Sequence, residues 1–259
     1  MKIAVRKQFR KYLLLETILL IGILLAVSCK DEYLYDNSEP EWLGASIYDY
    51  LKSGENYTYY TRLIEEVEDY KEVLAKTGSK TLFVADDAAF EEFFRNNPWN
   101  VSRYEDLSLT QKKLIIKFSM IDNAYLIETL SNYYNGTLQE GTAMRRTTAI
   151  SVLDTIPFES GDMLPGSPYW NWYRNRGLHL LKDATSWPMV HFLESSLNNA
   201  GISDADFSLI TGAERTTNDA HIFSIKVRER DITCKNGYIH VLEKVLLPPV
   251  NVAEYLKTN

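Results

Sequence analysis

The sequence predicts an α+β fold, with helices concentrated in its first half and strands in its second. Three observations predict it. Runs of apolar residues at helical spacing, each preceded by a capping residue, fill much of the stretch from Ser46 to Leu130. Phe223, Ile225 and Val227 alternate with Ser224, Lys226 and Arg228, which is the period-two pattern of a half-buried strand. Asn236-Gly237 then supplies a hairpin signal ahead of the apolar run Tyr238–Leu247, which Pro248-Pro249 ends. The composition is that of a protein with a real core: 45% apolar, 12% aromatic and 24% charged residues, with Gly and Pro at only 20 of 259 positions. It excludes a disordered, collagen-like or disulfide-scaffold chain. The net charge of −7 argues against a general nucleic-acid binder held by phosphate neutralisation.

The elements follow in order. Ser46 is placed to cap a helix with Asp49 at its third position. Tyr57–Lys76 carries Leu63, Ile64, Val67 and Leu74 at helical spacing, with Gly78 just beyond. Thr81–Val84 reads as a short strand, and Asp86 or Asp87 as the cap of a helix through Phe94. Ser108 caps a further helix over Leu109–Met120, and Asn123–Leu130 reads as a short one. Thr137-Leu138, Ala143–Thr147 and Ala149–Leu153 are short strand candidates. The stretch from about 155 to 221 holds Pro157, Pro165, Pro168 and Pro188, a helix over Pro188–Asn199 and a shorter one capped by Ser203. It reads as an insertion of loops and short helices packed on the main sheet. No repeat of 20 to 50 residues is visible, so a solenoid or propeller is not expected.

Residues 1–28 are an address. Lys2, Arg6, Lys7, Arg10 and Lys11 precede the apolar run Ile18–Val27, which is too short to span a bilayer. Ala26-Val27-Ser28-Cys29 places small residues before a cysteine and resembles a bacterial lipobox, which implies acylation of Cys29 as the new N-terminus. Lys30, Asp31 and Glu32 follow, and resemble an export signal of surface-displayed lipoproteins. These residues predict an outer-membrane lipoprotein of a Gram-negative bacterium with a tether over 29–40, exposed at the cell surface or, as the alternative, facing the periplasm. Removing 1–28 takes away five basic and one acidic side chain, leaving 23 and 34, a net charge of −11. Such a surface does not favour anionic lipid, so acyl groups on Cys29 would be the membrane contact. Cys234 is then left without an intrachain partner and reads as a buried apolar side chain. Three N-x-S/T sequons, at Asn56, Asn100 and Asn135, suit a secreted eukaryotic protein, but the lipobox outweighs them.

Two segments carry a family resemblance. Thr81-Leu82-Phe83-Val84-Ala85-Asp86-Asp87-Ala88-Ala89-Phe90 resembles the first signature of fasciclin-like domains, and Asn236-Gly237-Tyr238-Ile239-His240-Val241-Leu242-Glu243-Lys244-Val245-Leu246-Leu247-Pro248-Pro249 the second. The resemblance implies one domain over 41–250, with a tail over 251–259. It implies a β-wedge flanked by helices, extracellular adhesion or ligand binding, and no catalysis. The chain departs from the family pattern at Phe118-Ser119, where many members carry a Tyr-His pair, and in the long insertion.

Other chemistry is sparse. The sequence holds no dinucleotide, P-loop, serine-hydrolase or HExxH motif, and no cofactor is expected. His179, His191, His221 and His240 share no ligand spacing and read as hydrogen-bonded structural residues. Asp204 and Asp206 read as acidic groups at a helix start, and Glu65, Glu66, Glu68 and Asp69 as a solvated face. The candidate ligand contact is the aromatic cluster Tyr169, Trp170, Trp172 and Tyr173, whose flat faces suit sugar rings or internal packing. The function expected is therefore adhesion to, or binding of, an extracellular protein or glycan. The alternatives are an accessory binder in a nutrient-acquisition complex beside an outer-membrane transporter, and an envelope hydrolase.

Overall fold

The computed structural model describes residues 43–67, 70–76, 78–150 and 187–249, all within one compact unit that begins at Leu43. The signal segment, Cys29, the 30–32 triplet and the 169–173 cluster lie outside the described residues, as does the tail. The fold is α+β. Among the described residues no helix is long and apolar enough to cross a membrane.

Helix α1 (Ile47–Ser53) begins where the Ser46 hydroxyl accepts from Asp49 N, 3.0 Å, and it buries Ile47, Tyr48 and Leu51. The expected single helix over 57–76 is two helices, α2 (Thr58–Glu66) and α3 (Tyr70–Ala75). The break is at Val67, whose backbone turns extended (φ −93, ψ 116) as its side chain is buried in the core. No side chain of its own caps α2. The Asp87 carboxylate does so from another element, accepting from Thr58 N (3.1 Å) and Tyr59 N (3.0 Å).

Strand β1 (Lys80–Ala85) is buried on both faces. Asp86 then caps α4 (Asp87–Arg95) through Ala89 N, and Ser108 with Gln111 makes a full capping box on α5 (Leu109–Phe118). Strand β2 (Met120–Ile121) follows directly. Asn123–Leu130 is not an α-helix: only Ile127–Thr129 is helical, as one 3-10 turn. Then come β3 (Tyr133–Tyr134), β4 (Leu138–Gln139) and β5 (Arg145–Thr147). Ala149 and Ile150 are not in a strand, and 151–153 lie outside the described residues.

The second half corrects two readings. Pro188–Phe192 is a strand, β6, and the helix expected over 188–199 is confined to α6 (Glu194–Ala200). The segment 187–221 does not simply pack on the sheet but supplies strands to it. After α7 (Asp204–Thr211), β7 (His221–Ile222), β8 (Ile225–Cys234) and β9 (Gly237–Leu242) complete the chain. Phe223 sits in the β7–β8 turn with φ 51, outside the strand its alternation predicted, and stacks on Phe118 at 6.0 Å.

The sheet order is β2-β1-β9-β8-β7-β6-β5. Strands β1 and β9 pair in parallel from Lys80↔Gly237 to Ala85↔Leu242. The sheet curls until its edges meet: Ala149 N, just past β5, donates to Met120 O of β2 at 2.8 Å. Alternation along β1 and β9 then divides the core. Leu82, Val84, Ile239 and Val241 face the helices, and pack with Leu51, Ile64, Phe90 and Ile116. Phe83 and Leu242 face the inside of the curl, with Phe118, Ile121, Met189 and Ile222. Phe192, Leu197 and Phe207 form a small third cluster under α6 and α7.

Asn236 and Gly237 also differ from their expected use. The turn is Lys235-Asn236, one residue earlier, and Asn236 is fully buried. Its Oδ1 accepts from Ile47 N (2.8 Å), its Nδ2 donates to Leu74 O (2.8 Å), and its carbonyl accepts from Lys80 N (3.0 Å). Gly237 has φ +146, and a Cβ there would stand 1.8 Å from Lys80 O. So the glycine is required by the close approach of β1 as well as by its backbone angle.

Candidate functional site

The described residues frame a cleft with a volume of about 460 Å³. One wall is the stretch from β2 to the β3–β4 hairpin. Its loop is tied to the sheet by Ala124 N to Ser79 Oγ (2.9 Å) and Tyr125 N to Thr81 Oγ1 (2.8 Å). Two further ties come from β8 and β9. Ile127 N donates to Asp231 Oδ1 (2.7 Å), at a bulge where Asp231 has φ 64. Asp231 N donates to His240 Nδ1 (3.1 Å), so the proton sits on Nε2, which donates to Tyr125 O (3.1 Å). This neutral, fully buried imidazole is a structural pin. Burial holds its pKa below the ordinary histidine value.

The second wall is α6. Ser195 Oγ meets Ser131 Oγ at 2.9 Å, and Asn199 Nδ2 donates to Glu140 O at 2.6 Å. Gly141 (φ +67) lets the hairpin base lie against α6, since a Cβ there would be 2.7 Å from Ser195 O. The third wall is the Thr216–Ala220 turn. The Asp219 carboxylate accepts from Thr216 N (2.9 Å), Thr216 Oγ1 (2.7 Å) and Lys226 Nζ (2.9 Å). Burial opposes that charge, but these partners outweigh it and bring the pKa down to about 2.

Four carboxylates, Glu128, Glu140, Glu194 and Asp219, line the cleft, and most are matched. Glu194 pairs with the nearly buried Arg215, Asp219 with Lys226, and Glu128 with Arg230 at 3.8 Å. Glu140 has no ion pair among the described residues. Three planar amides, from Asn132, Asn198 and Asn218, and the Thr129 and Ser195 hydroxyls complete the polar lining. Asn132 and Glu140 line the cleft and immediately flank the β3–β4 hairpin, so the hairpin borders it; Tyr133 and Tyr134, on opposite faces of β3, are 50% and 72% exposed.

The residues the sequence singled out fall elsewhere. Cys29, Lys30, Asp31, Glu32, Tyr169, Trp170, Trp172 and Tyr173 lie outside the described residues, as does His179. Asp206 is spent in the capping box with Ser203, and Asp204 pairs with Arg215. Glu65 accepts from the Tyr48 hydroxyl at 2.6 Å, and Glu66 from Lys112 at 2.6 Å, so this face of α2 is partnered as well as solvated. His191 is fully buried, its Nε2 3.0 Å from Ala143 O, while His221 packs on Phe207. Cys234 is a buried free thiol that burial pushes up to about 11, which keeps it in its unreactive form. Ser119, which stands where the family pattern would place a His, is a buried hub: its hydroxyl meets Tyr60 OH at 2.5 Å and donates to Ile115 O. Among the described residues no group of three or more His, Cys, Asp or Glu is arranged to hold a metal ion. The β3–β4 hairpin went unread. Its signal was Asn135-Gly136 between Tyr133-Tyr134 and Thr137-Leu138.

No protein-family model matches the sequence, and no curated protein matches it. Among solved structures, the chain is similar to a FAS1 domain pair from the insect cell adhesion molecule fasciclin I, at 14% identity and a TM-score of 0.42. The alignment covers 78% of this chain and 51% of that one, so this chain spans about half the length of the structure it matches.

Proposed function

We propose that the chain is a lipid-anchored cell-envelope protein whose fasciclin-like domain binds an extracellular protein or glycan, as in adhesion. One observation carries the reading. The two segments that resemble fasciclin signatures are neighbouring strands, β1 and β9, in parallel register over six residues at the heart of an α+β unit. The anchor rests on the lipobox-like Ala26–Cys29 and on the Lys30-Asp31-Glu32 triplet after it. Firm anchoring needs more than one acyl chain, as a lipobox cysteine supplies. The role proposed is binding and not catalysis. It is supported by the use of His191, His240 and Cys234 as buried structural groups. A second reading, an accessory binder in glycan acquisition at an outer-membrane transporter, is favoured by the polar cleft and the exposed tyrosines of the hairpin that borders it.

The test is labelled-palmitate incorporation in a Gram-negative host, followed by protease shaving of intact cells. The wild type incorporates label, Cys29→Ala does not, and shaving removes the domain. Label that survives in Cys29→Ala contradicts the anchor.

A further inference from the structure

We propose that the cleft between Ile127–Thr129, α6 and the Thr216–Ala220 turn, with the β3–β4 hairpin at its rim, binds a neutral saccharide. The inference rests on the reading of the chain as a binding protein, and names its site and ligand class. The hairpin is the first argument. It is a two-stranded ribbon paired only with itself, and it displays Tyr133, Tyr134 and Leu138, each at least half exposed. Such a ribbon contributes little to the core. Its tyrosine faces are the flat, amphipathic surfaces on which sugar rings stack.

The lining is the second argument. Sugar hydroxyls each donate one hydrogen bond and accept others, so they match side chains that offer both functions. Asn132 has its Oδ1 committed to Gly141 N at 3.2 Å, which leaves its amide hydrogens for a ligand. Asn218, at φ 69, also lines the cleft, and the Glu140 carboxylate adds an acceptor.

Charge decides between ligand classes. Glu128, Glu194 and Asp219 each already face a cation of this chain, and of the four lining carboxylates only Glu140 is unmatched among the described residues. Arg215 is shared with Asp204, so among the described residues the cleft keeps a small net negative charge. It disfavours sulfated or sialylated glycans and exerts only a weak pull on a basic peptide. The walls are also held before any ligand arrives, by the Asp231 and His240 ties and by the contact of Gly141 with α6. A fixed polar site loses less entropy on binding.

The test uses the full chain in detergent micelles. The probes are neutral oligosaccharides built on glucose, mannose, galactose or N-acetylglucosamine, their sulfated counterparts, and an oligoarginine peptide. At least one neutral oligosaccharide binds the wild type. Tyr133→Ala/Tyr134→Ala and, separately, Glu140→Gln each weaken it about tenfold with the melting temperature unchanged. Glu140→Gln keeps the site intact should the hairpin variant fold poorly. The proposal is overturned if no neutral oligosaccharide binds, if both variants bind it as the wild type does, or if oligoarginine binds more tightly than any sugar. Should extracellular proteins bind the wild type while every sugar fails, the saccharide site is lost and the adhesion reading stands.

Discussion

Asn236 and Gly237 show how much rests on single residues. A dipeptide that local rules assign to a turn instead joins three elements: α1 through Ile47 N, α3 through Leu74 O, and β1 through Lys80 N. Asn236→Ala strands a buried donor and a buried acceptor, and the expected loss is about 3 kcal/mol. Asn236→Gly separates the two accounts. A glycine would serve a turn at least as well as asparagine, but it lacks the amide, so both variants are expected to melt at similarly lowered temperatures. Tolerance of Asn236→Gly in thermal melts would return the residue to a turn role. Ser119 has the same character. It occupies a position where family resemblance pointed to a missing functional histidine, and the structure uses it to satisfy the Tyr60 hydroxyl inside the core.

At the scale of elements, what was legible was local. Ser46, Asp86, Ser108 and Ser203 cap the helices their sequences announced, because an N-cap is a bargain struck within four residues. The failures were tertiary. Val190, Leu193 and Leu197 sit at helical spacing, yet Pro188–Phe192 is a strand, because β5 and β7 offer it ladder partners on either side. Glu66 and Val67 read as continuous helix, yet burial of Val67 redirects the chain. The cleft was not legible for a stronger reason. Its walls come from residues near 130, 195 and 218, which only the curled sheet brings together. The aromatic cluster at 169–173, in contrast, was conspicuous in sequence and lies outside the described residues.

For the whole molecule, the buried imidazoles set a pH limit. Burial lowers the pKa of His191 to about 4, with nearby Arg146 adding to the effect, and lowers those of His221 and His240. Each is neutral when folded and protonates more readily when unfolded, so the unfolded state gains protons first as pH falls through about 6.5. Stability is therefore full above that pH and is lost below it, with His191 alone costing about 2 kcal/mol by pH 5. A fall in melting temperature of about 5 °C between pH 7.5 and pH 5 is expected for a domain of this size. An unchanged melting temperature over that range would show that these histidines are not held neutral by the fold.

The same scale holds the functional claim, that a binding domain is displayed on the cell by a lipid on Cys29. It is tested most directly by adhesion of intact cells to immobilised glycans and extracellular proteins. Cells that carry the full chain are compared with cells that carry Cys29→Ala at equal protein level. Wild-type cells are expected to bind at least one of these surfaces, and the Cys29→Ala cells to bind it no better than cells without the protein. Equal binding by the two, or no protein-dependent binding to any surface, would contradict the claim.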